Sequence, residues 1–317
     1  MNVLYILSLE KSRMTYKDRI NVRGIQTLVD AIQVDNKALI ISGQLIKMAK
    51  LKDEWCEDVH NPEAVIRILK DSSVRIDLFS FWQRLPETAP TYDYYREWEY
   101  LAAIPIRDYD HWWKEQINSK TRNMVRKPGK RGVVIKEAPF NDQLVAGIVK
   151  IFNESPVRRG KPFWHYKKDF NTVKNEMSAD PECSIFIGAF YETELIGFIK
   201  LLRTDRYAII TMILDLIAYR DKSPMNGMIA KAVEICAVHH IPYLTYTVWR
   251  RGNHGDFQSR NGFERIPVPR YYVPLTLTGQ LALKLNLHRG LKGLLPERVV
   301  TELLNLRAKW YSGKDLY

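Results

Sequence analysis

Short apolar runs and stretches of helical spacing alternate along the first hundred residues. Residues 23–35 carry an apolar side chain every three or four positions, and this spacing predicts a helix. Two apolar runs on either side of the Ser-Gly pair at 42–43 predict two short strands. Asn61 followed by Pro62 is typical of a helix start, and the alternating aromatic run at 74–85 predicts a further strand. The pattern therefore indicates a mixed β-α-β arrangement.

The second half of the chain has a clearer order of elements. The apolar runs at 183–191 and 194–203 predict an antiparallel hairpin, and residues 207–219 predict a long third strand. A polar loop that contains a glycine comes next. It is followed by a predicted helix at 228–240 and a predicted buried strand at 243–249.

A strongly basic stretch at 119–133 contains six cations and no acid: Lys120, Arg122, Arg126, Lys127, Lys130 and Arg131. Apolar positions through 112–125 place the stretch on a predicted helix, which Pro128 and Gly129 are expected to end. Three of the cations are four residues apart and share one helical face: Arg122, Arg126 and Lys130. They predict a positive wall for an anionic substrate, with a solvated basic face as the alternative.

Composition limits the classes of protein to consider. The chain has 317 residues, of which 46% are hydrophobic, and this is enough to bury a sizeable core. A net charge of +12 indicates an acidic partner such as nucleic acid, an anionic membrane surface or a phosphorylated ligand. The three cysteines lie far apart, without metal-ligand spacing, so we expect a reducing compartment, no disulfides and no metal.

The two ends of the chain bear on its location. The apolar start, MNVLYIL, is short and has no preceding cation or following cleavage site, so it predicts a strand and not a signal peptide. No apolar run is long enough for a membrane helix. We therefore expect a cytoplasmic protein, with peripheral contact to the inner membrane face left open. The basic amphipathic tail at 281–317 predicts helices docked on the core or, alternatively, contact with an anionic surface.

The polar loop at 220–227 is a candidate phosphate site. A strand that feeds a helix through a loop presents backbone N–H groups and the positive end of the helix dipole. The loop adds two cations, and its Asn-Gly pair allows close approach of a ligand to the backbone. An ordinary turn with exposed cations is the alternative. The residues predicted to bind the cofactor are Arg220, Lys222, Ser223, Asn226 and Gly227.

This order of elements resembles the acyl-CoA N-acyltransferase (GNAT) fold, in which the loop between the fourth strand and the next helix holds the coenzyme A pyrophosphate. That superfamily often carries an aromatic residue, three further residues and then Gly-Phe after the fifth strand. Here Phe257 precedes Gly262 and Phe263, with one residue more than the common spacing. The resemblance implies that Phe257 lies at the cofactor site and that an acyl-CoA is the co-substrate.

The basic stretch looks like the Arg-Asn-x-x-Arg-Lys-x-x-Lys-x-Gly segment of FemAB-like aminoacyltransferases, a branch of the same superfamily. The matching positions are Arg122, Asn123, Arg126, Lys127, Lys130 and Gly132. The resemblance implies an α+β fold, with a GNAT-like mixed β-sheet, flanking helices and two tandem domains, the first of them degenerate. The expected divisions are 1–110, 111–280 and the tail at 281–317. Aminoacyl-tRNA stays open as the donor, although no coiled-coil arm is visible.

Acyl transfer to an amine needs a proton acceptor and an oxyanion donor. The loop at 152–166 crowds polar and aromatic residues together and is the candidate acceptor site. Glu154 and His165 are the candidate bases; the alternatives are an ion pair of Glu154 with Arg158 and a packed His165. The side chains expected to hold the acceptor, besides the basic helix, are Arg158, Arg159, Trp164 and Lys200.

Two more catalytic candidates lie on strands. Asp215 is a carboxylate inside an apolar strand, which is unusual unless it faces a cleft or a partner. Tyr271 and Tyr272 are adjacent on a strand, so at most one of them can face a cleft. The resemblance implies that such a tyrosine, here Tyr271, gives a proton to the leaving thiolate.

We therefore expect an N-acyltransferase that moves an acyl group from a thioester to a primary amine on an anionic acceptor, such as a nucleotide- or lipid-linked amino sugar. One alternative is a FemAB-type enzyme that uses aminoacyl-tRNA to modify a cell-wall precursor or another amine. The other is a protein that binds nucleic acid or modifies a nucleobase in the positive cleft.

Overall fold

The computed structural model describes residues 15–22, 25–158, 160–204, 206–249 and 253–290. These residues form two compact units. The first unit takes the described residues up to Trp98, residues 160–161 and the chain from Pro269 onward, and the second unit takes Glu99–Arg158 and Pro162–Val268. The strand predicted for the first seven residues lies outside the described part of the chain, as do Arg159 and the tail from residue 291.

The first unit contains a mixed sheet. Its first five strands are β1 Thr15–Val22, β2 Ile25–Val34, β3 Lys37–Ser42, β4 Met48–Leu51 and β5 Leu78–Trp82. Strands β1 to β4 form an antiparallel meander, whereas β4 and β5 are parallel and are connected through helix α1, Pro62–Lys70. Asn61 caps α1 as predicted, because its side chain accepts a hydrogen bond from the backbone N–H of Ala64. The chain returns at its end to pair residues 270–274 with β5.

Strand β2 contradicts the helix that the apolar spacing of residues 23–35 predicts. Neighbouring residues Ala31 and Ile32 are both fully buried, so both faces of the segment are covered at this point. The segment is rich in Ile, Thr and Val, and β1 and β3 pair with it on its two sides. Strand pairing and β-branched side chains therefore outweigh the helical spacing.

The second unit contains a mixed sheet in the order β6, β13, β12, β11, β10, β7. The bounds are β6 Tyr95–Pro105, β7 Val133–Ala138, β10 Ser184–Tyr191, β11 Glu194–Arg203, β12 Ala208–Asp215, β13 Tyr243–Val248 and β14 Glu264–Pro274, with the short hairpin β8 Val157–Arg158 and β9 Lys161–Pro162. The hairpin, the third strand and the buried strand predicted for this half are confirmed. Strands β12 and β13 are parallel, whereas the pairs β7–β10, β10–β11, β11–β12 and β13–β6 are antiparallel.

Helices surround this second sheet. They are α2 Tyr109–His111, α3 Ser119–Lys130, α4 Asp142–Asn153, α5 Phe170–Met177, α6 Pro224–Val238 and α7 Asn253–Arg260, and α8 Leu277–Lys284 follows in the first unit. Helix α6 is apolar on most of its surface because it contacts the sheet on one side and α3 on another. Its buried residues join Phe152, Phe198 and Trp112 in one large core.

The long helix expected from residue 108 to 127 is divided and also ends later. Residues 112–116 form one π-helical turn, Ile117 is extended, and Asn118 caps a new helix, α3. Helix α3 continues through Pro128 to Lys130, although proline cannot donate the helical hydrogen bond. Pro128 is buried beside Gly227 of α6, and this packing stabilises a helix that the sequence alone would end there.

Candidate active site

The parallel strands β12 and β13 separate early and leave an opening in the second unit. They pair only at Ala208 with Leu244 and at Ile209 with Thr245, although β12 continues to Asp215. Thr211 is exposed in the middle of β12, where the pairing with β11 skips it at a β-bulge. Within the described residues, the later peptide groups of β12 therefore have no strand partner on this side and can pair with an amide-bearing ligand.

Helix α6 begins just after β12 and its 3₁₀ turn. Ser223 at the N-cap position is left-handed, with φ of 59°, Pro224 is the first helical residue, and no side chain caps the first turn. The 15-residue helix thus presents its first free N–H groups and the positive end of its dipole. Arg220 is exposed and Lys222 half-buried in the turn before it. This combination is suited to phosphate groups.

Glu154 is the C-cap residue of α4, and three hydrogen-bond donors hold its carboxylate. Its carboxylate accepts hydrogen bonds from the backbone N–H groups of Ile217 at 2.8 Å and Ala218 at 3.1 Å. Arg158 donates to the same carboxylate at 3.0 Å. Glu154 therefore anchors the 3₁₀ turn to the end of α4, in place of the general-base role that the sequence suggested.

Arg158 is buried and donates to the protein itself. Its guanidinium bonds the backbone carbonyl of Asp215 at 2.8 Å, the carbonyl of Ile151 at 2.7 Å and the carboxylate of Glu154. It also lies over the ring of Phe163, with Cζ 5.0 Å from the centroid. Arg158 thus joins α4 to the end of β12, which corrects its predicted role as a ligand for the acceptor.

Asp215 is the last residue of β12, and its carboxylate is buried. Arg220 Nε donates to Oδ1 at 3.1 Å, and the guanidinium of Arg220 is about half exposed. Burial raises the pKa of Asp215, and the Arg220 charge offsets only part of that shift. A buried carboxylate with a raised pKa at the end of a strand is a candidate functional residue.

His165 is packed among aromatic rings. Its ring centroid lies 3.5 Å from that of Trp164 and 4.3 Å from that of Phe152. Burial, and secondly the charge of Lys168, lower the pKa of His165 to about 3. The imidazole is therefore neutral and weakly basic near pH 7, which argues against the predicted role as general base. Trp164 covers it with an indole that is 46% exposed.

Three of the predicted cofactor residues make contacts inside the protein. Asn226 donates to the side-chain oxygen of Asn261 at 2.9 Å. A Cβ on Gly227 would lie 2.2 Å from Ile135 Cδ1, so this glycine serves close packing of α6. Phe257 is partly buried against the main core. These contacts engage the side chains of Asn226 and Phe257 but leave the backbone N–H groups of Asn226 and Gly227 in the first turn of α6, so the three residues stay predictions beside Arg220, Lys222 and the Ser223 turn.

Lys200 and Tyr271 are bound elsewhere. Buried Lys200 donates to the carbonyls of Met177 and Ala179 at 3.0 Å and 2.9 Å, so it stabilises the end of α5 and does not bind substrate. Tyr271 belongs to the first unit, is fully buried, and donates its hydroxyl to Gln83 at 2.7 Å. That bond corrects its predicted role as proton donor.

The basic helix α3 is partly structural. Arg122 donates to the carbonyls of Ile117 at 2.6 Å and Trp113 at 3.1 Å, and so closes the π-helical turn. Arg126 lies over the Trp113 ring at 4.9 Å but is exposed, as is Lys130. Arg122 is thus corrected to a residue that caps backbone carbonyls, and only Arg126 and Lys130 stay predictions for an anionic substrate.

Sequence reasoning missed Asn261 and Gln258, two fully buried polar residues. Asn261 bonds Asn226 and accepts a hydrogen bond from Trp112 Nε1 at 3.1 Å, while Gln258 donates to the carbonyl of Tyr246 at 3.2 Å. Both residues hold the segment after β13 in place beside α6. Their position between Phe257 and the Gly262-Phe263 pair is the feature of the sequence that could have indicated them.

No protein-family model matches the sequence, and no curated protein matches it. Solved structures do share its fold. The C-terminal domain of a proposed lysylphosphatidylglycerol synthetase from Agrobacterium fabrum has a TM-score of 0.54 at 10% identity, covering 88% of this chain and 95% of that one. FemX has a TM-score of 0.54 at 11% identity, covering 88% and 92%.

A protein of unknown function from Bacteroides thetaiotaomicron is similar as well, with a TM-score of 0.51 at 7% identity over 78% of this chain and 86% of that one. These similarities show that the chain shares the fold of these three proteins. The predicted α+β class, a mixed sheet with flanking helices, is confirmed. At identities this low the similarity extends to the fold alone.

Two observations concern the expectations that the chain has no membrane helix and uses no metal. Among the described residues no helix is long and apolar enough to cross a membrane. In the same part of the chain no group of three or more His, Cys, Asp or Glu side chains is arranged to hold a metal ion. The expectation that the protein uses no metal stays a prediction.

Proposed function

We propose that the chain is an N-acyltransferase that binds an acyl-CoA in the opening between β12 and β13. The observation that carries this proposal is the early separation of the two parallel strands, with the uncapped start of α6 at the end of β12. The pantetheine arm of coenzyme A carries amide groups that can pair with unpaired strand peptides. Its pyrophosphate is an anion of the kind that a helix start attracts.

Asp215 is the proposed proton acceptor. In the reaction, the acceptor nitrogen forms a bond to the thioester carbonyl carbon, the C–S bond breaks, and coenzyme A leaves as a thiolate. The proton of the attacking amine passes to Asp215, directly or through one water, while Arg220 holds the carboxylate by its 3.1 Å hydrogen bond. Unpaired N–H groups of β12 are the proposed donors to the oxyanion.

The proposed acceptor is a primary amine on an anionic molecule, such as a nucleotide- or lipid-linked amino sugar. Support comes from the net charge of +12 and from the exposed cations Arg126 and Lys130 on α3. The exposed indole of Trp164 offers an apolar surface of the kind that sugar rings pack against. The expected domain boundaries at residues 110 and 280, with a degenerate first domain, stay predictions.

Aminoacyl-tRNA is the second candidate donor. It is favoured by the basic composition and by the segment at 122–132 that resembles FemAB-like enzymes. In this version the leaving group is the ribose oxygen of an ester, and Asp215 again takes the amine proton. The acceptor then includes cell-wall precursors or other amines.

A donor-binding experiment tests the proposal. Acetyl-CoA, longer acyl-CoAs, free CoA and charged tRNA are each added to the full chain, and the melting temperature is measured, since a ligand that binds only the folded state raises it. We expect an increase with the CoA compounds. A higher melting temperature with charged tRNA, and no change with any CoA compound, would favour aminoacyl-tRNA over acyl-CoA as the donor. No change with either kind of ligand would refute both proposals.

A pair of double variants then locates the binding. Arg220→Ala with Lys222→Ala should raise the acetyl-CoA Kd by about tenfold or more, because charge-assisted contacts to phosphate are lost. Arg67→Ala with Lys70→Ala removes two exposed cations from α1 in the first unit and serves as the matched control. Equal weakening by both pairs would mean that net charge, and not the turn before α6, attracts the donor.

A further inference from the structure

Helix α8 is fixed to the first unit by one face. Thr276 caps it, accepting from the N–H of Gly279 at 3.1 Å and donating to Asp77 at 2.8 Å. A Cβ on Gly279 would lie 2.0 Å from the Asp77 carbonyl, so the helix backbone lies directly against the chain before β5. Ala282 and Leu283 on the same face are buried in a small core with Leu78 and Tyr272.

The opposite face of α8 is an exposed row of leucines. Leu277, Leu281 and Leu285 are spaced four apart and are 81%, 55% and 51% exposed. Leu45, in the turn between β3 and β4, is 88% exposed, and its neighbour Ile46 packs against the same small core as Leu283. We call these four side chains the leucine surface. Single exposed leucines are common, but three in one row, with a fourth in a turn whose next residue packs on the core of the same helix, form a candidate interaction site.

The sequence around the leucine surface is basic, and the nearby acids are paired: buried Asp77 with Arg75, and Glu97 with His288 and Arg289. Residues 275–290 contain Lys284, His288 and Arg289 and no acid, and the turn at 43–47 adds Lys47. Lys284 is exposed beside the leucines, whereas His288 and Arg289 are paired with Glu97. Exposed leucines flanked by lysines, on a helix held flat by its other face, are the combination that binds the interface of an anionic bilayer.

We propose that the leucine surface docks the protein on the surface of an anionic lipid bilayer. The four leucines would enter the headgroup boundary while Lys47 and Lys284 meet the negatively charged lipids. A symmetric contact with a second copy fits less well, because it would bring Lys284 toward Lys284 without an acid nearby. The inference does not depend on acyl transfer, so the bilayer test and the donor-binding test can fail separately.

Vesicle co-sedimentation of the full chain tests this proposal. We expect binding to phosphatidylcholine vesicles that contain phosphatidylglycerol, and at least tenfold weaker binding to phosphatidylcholine alone. Binding should fall between about 50 mM and about 500 mM salt, because salt screens the lysines. Leu277→Gln, Leu281→Gln and Leu285→Gln combined should weaken binding at least tenfold, and Lys284→Glu alone should weaken it at low salt.

A matched triple variant controls for lost apolar surface. Leu28→Gln, Val134→Gln and Val238→Gln replace residues of similar exposure on β2, β7 and α6, and should bind vesicles like the wild type. Absence of wild-type binding, or undiminished binding by the α8 triple variant, would overturn the proposal. Two further results, in a wild-type chain that does not bind vesicles, would also overturn it. One is a dimer that the α8 triple variant abolishes, and the other is a melting temperature that the α8 triple variant lowers by several degrees. Those results would assign the surface to a second copy or to another segment of this chain.

Discussion

At the scale of single residues, Asp215 carries the proposed chemistry. Asp215→Asn keeps the shape of the side chain and removes its basicity, so kcat should fall by about 10²–10⁴-fold while acetyl-CoA binding stays within about twofold. Asp256→Asn, an exposed carboxylate of α7, is the control and should leave kcat unchanged. Steady-state kinetics with a calorimetric Kd separate the two effects. A kcat within a few-fold of wild type would remove Asp215 from the mechanism.

The raised pKa of Asp215 also fixes the sign of its effect on stability. The folded pKa lies above the ordinary 3.8, so its contribution to stability is present below that value and is lost as pH rises through the folded pKa. At neutral pH the ionised carboxylate therefore opposes folding. The asparagine variant should melt at the same temperature as the wild type or slightly higher at pH 7. A clear fall there would mean that the ion pair with Arg220 outweighs burial.

His165 gives a prediction of opposite sign. Its folded pKa of about 3 lies below the ordinary 6.5, so its contribution to stability is present above pH 6.5 and is lost as pH falls toward the folded value. His165→Gln should therefore make the free energy of unfolding less steep in pH between about 6.5 and 4. Urea unfolding at several pH values measures this slope. A slope equal to that of the wild type would contradict the packed, neutral imidazole.

The same residues show what local sequence can and cannot predict about a site. A carboxylate inside an apolar run is unusual in the sequence itself, so Asp215 is marked there as a candidate, and its catalytic role stays a prediction. Glu154 was assigned the wrong role because its N–H donors lie 63 positions further along the chain. Hydrogen-bond partners at that distance depend on how α4 meets the end of β12, which no local pattern records.

At the scale of elements, the contact between α3 and α6 depends on small residues. Met124 of α3 contacts Ser223 at the start of α6, and Pro128 of α3 lies next to Gly227 of α6. The two contacts are four positions apart on each helix. The helices come close because Gly227 has no side chain. The turn before α6, which includes Ser223 and is proposed to bind the acyl donor, is therefore positioned by the packing of α6 as well as by Glu154.

Gly227→Ala tests this packing. The new Cβ would lie 2.2 Å from Ile135 Cδ1 and 3.1 Å from Pro128 Cγ, so the variant should lose about 1–3 kcal/mol of unfolding free energy. Gly129→Ala, one residue after Pro128 on α3, has nothing within 4 Å of its Cβ and should be neutral or stabilising by up to about 1 kcal/mol. Denaturant unfolding measures both. Equal effects would mean that helix propensity and not close packing decides the cost.

The elements differ in how well their sequence predicts them. The hairpin, the third strand, α6 and β13 were predictable because apolar runs and turn residues mark them directly. Strand β2 was predicted wrongly because its apolar spacing fits a helix, and only pairing with β1 and β3 decides the outcome. The separation of β12 from β13 left no mark in the sequence, since the packing around both strands sets it.

At the scale of the whole molecule, the central claim is that one opening in the second unit holds the acyl donor. Hydrogen–deuterium exchange of the full chain with and without acetyl-CoA tests this claim most directly, since bound amides exchange more slowly. We predict slower exchange in residues 210–216 and 223–227, and no change in α1 of the first unit, which serves as the internal control. Unchanged exchange in both segments at saturating acetyl-CoA, or protection confined to the first unit, would contradict the account.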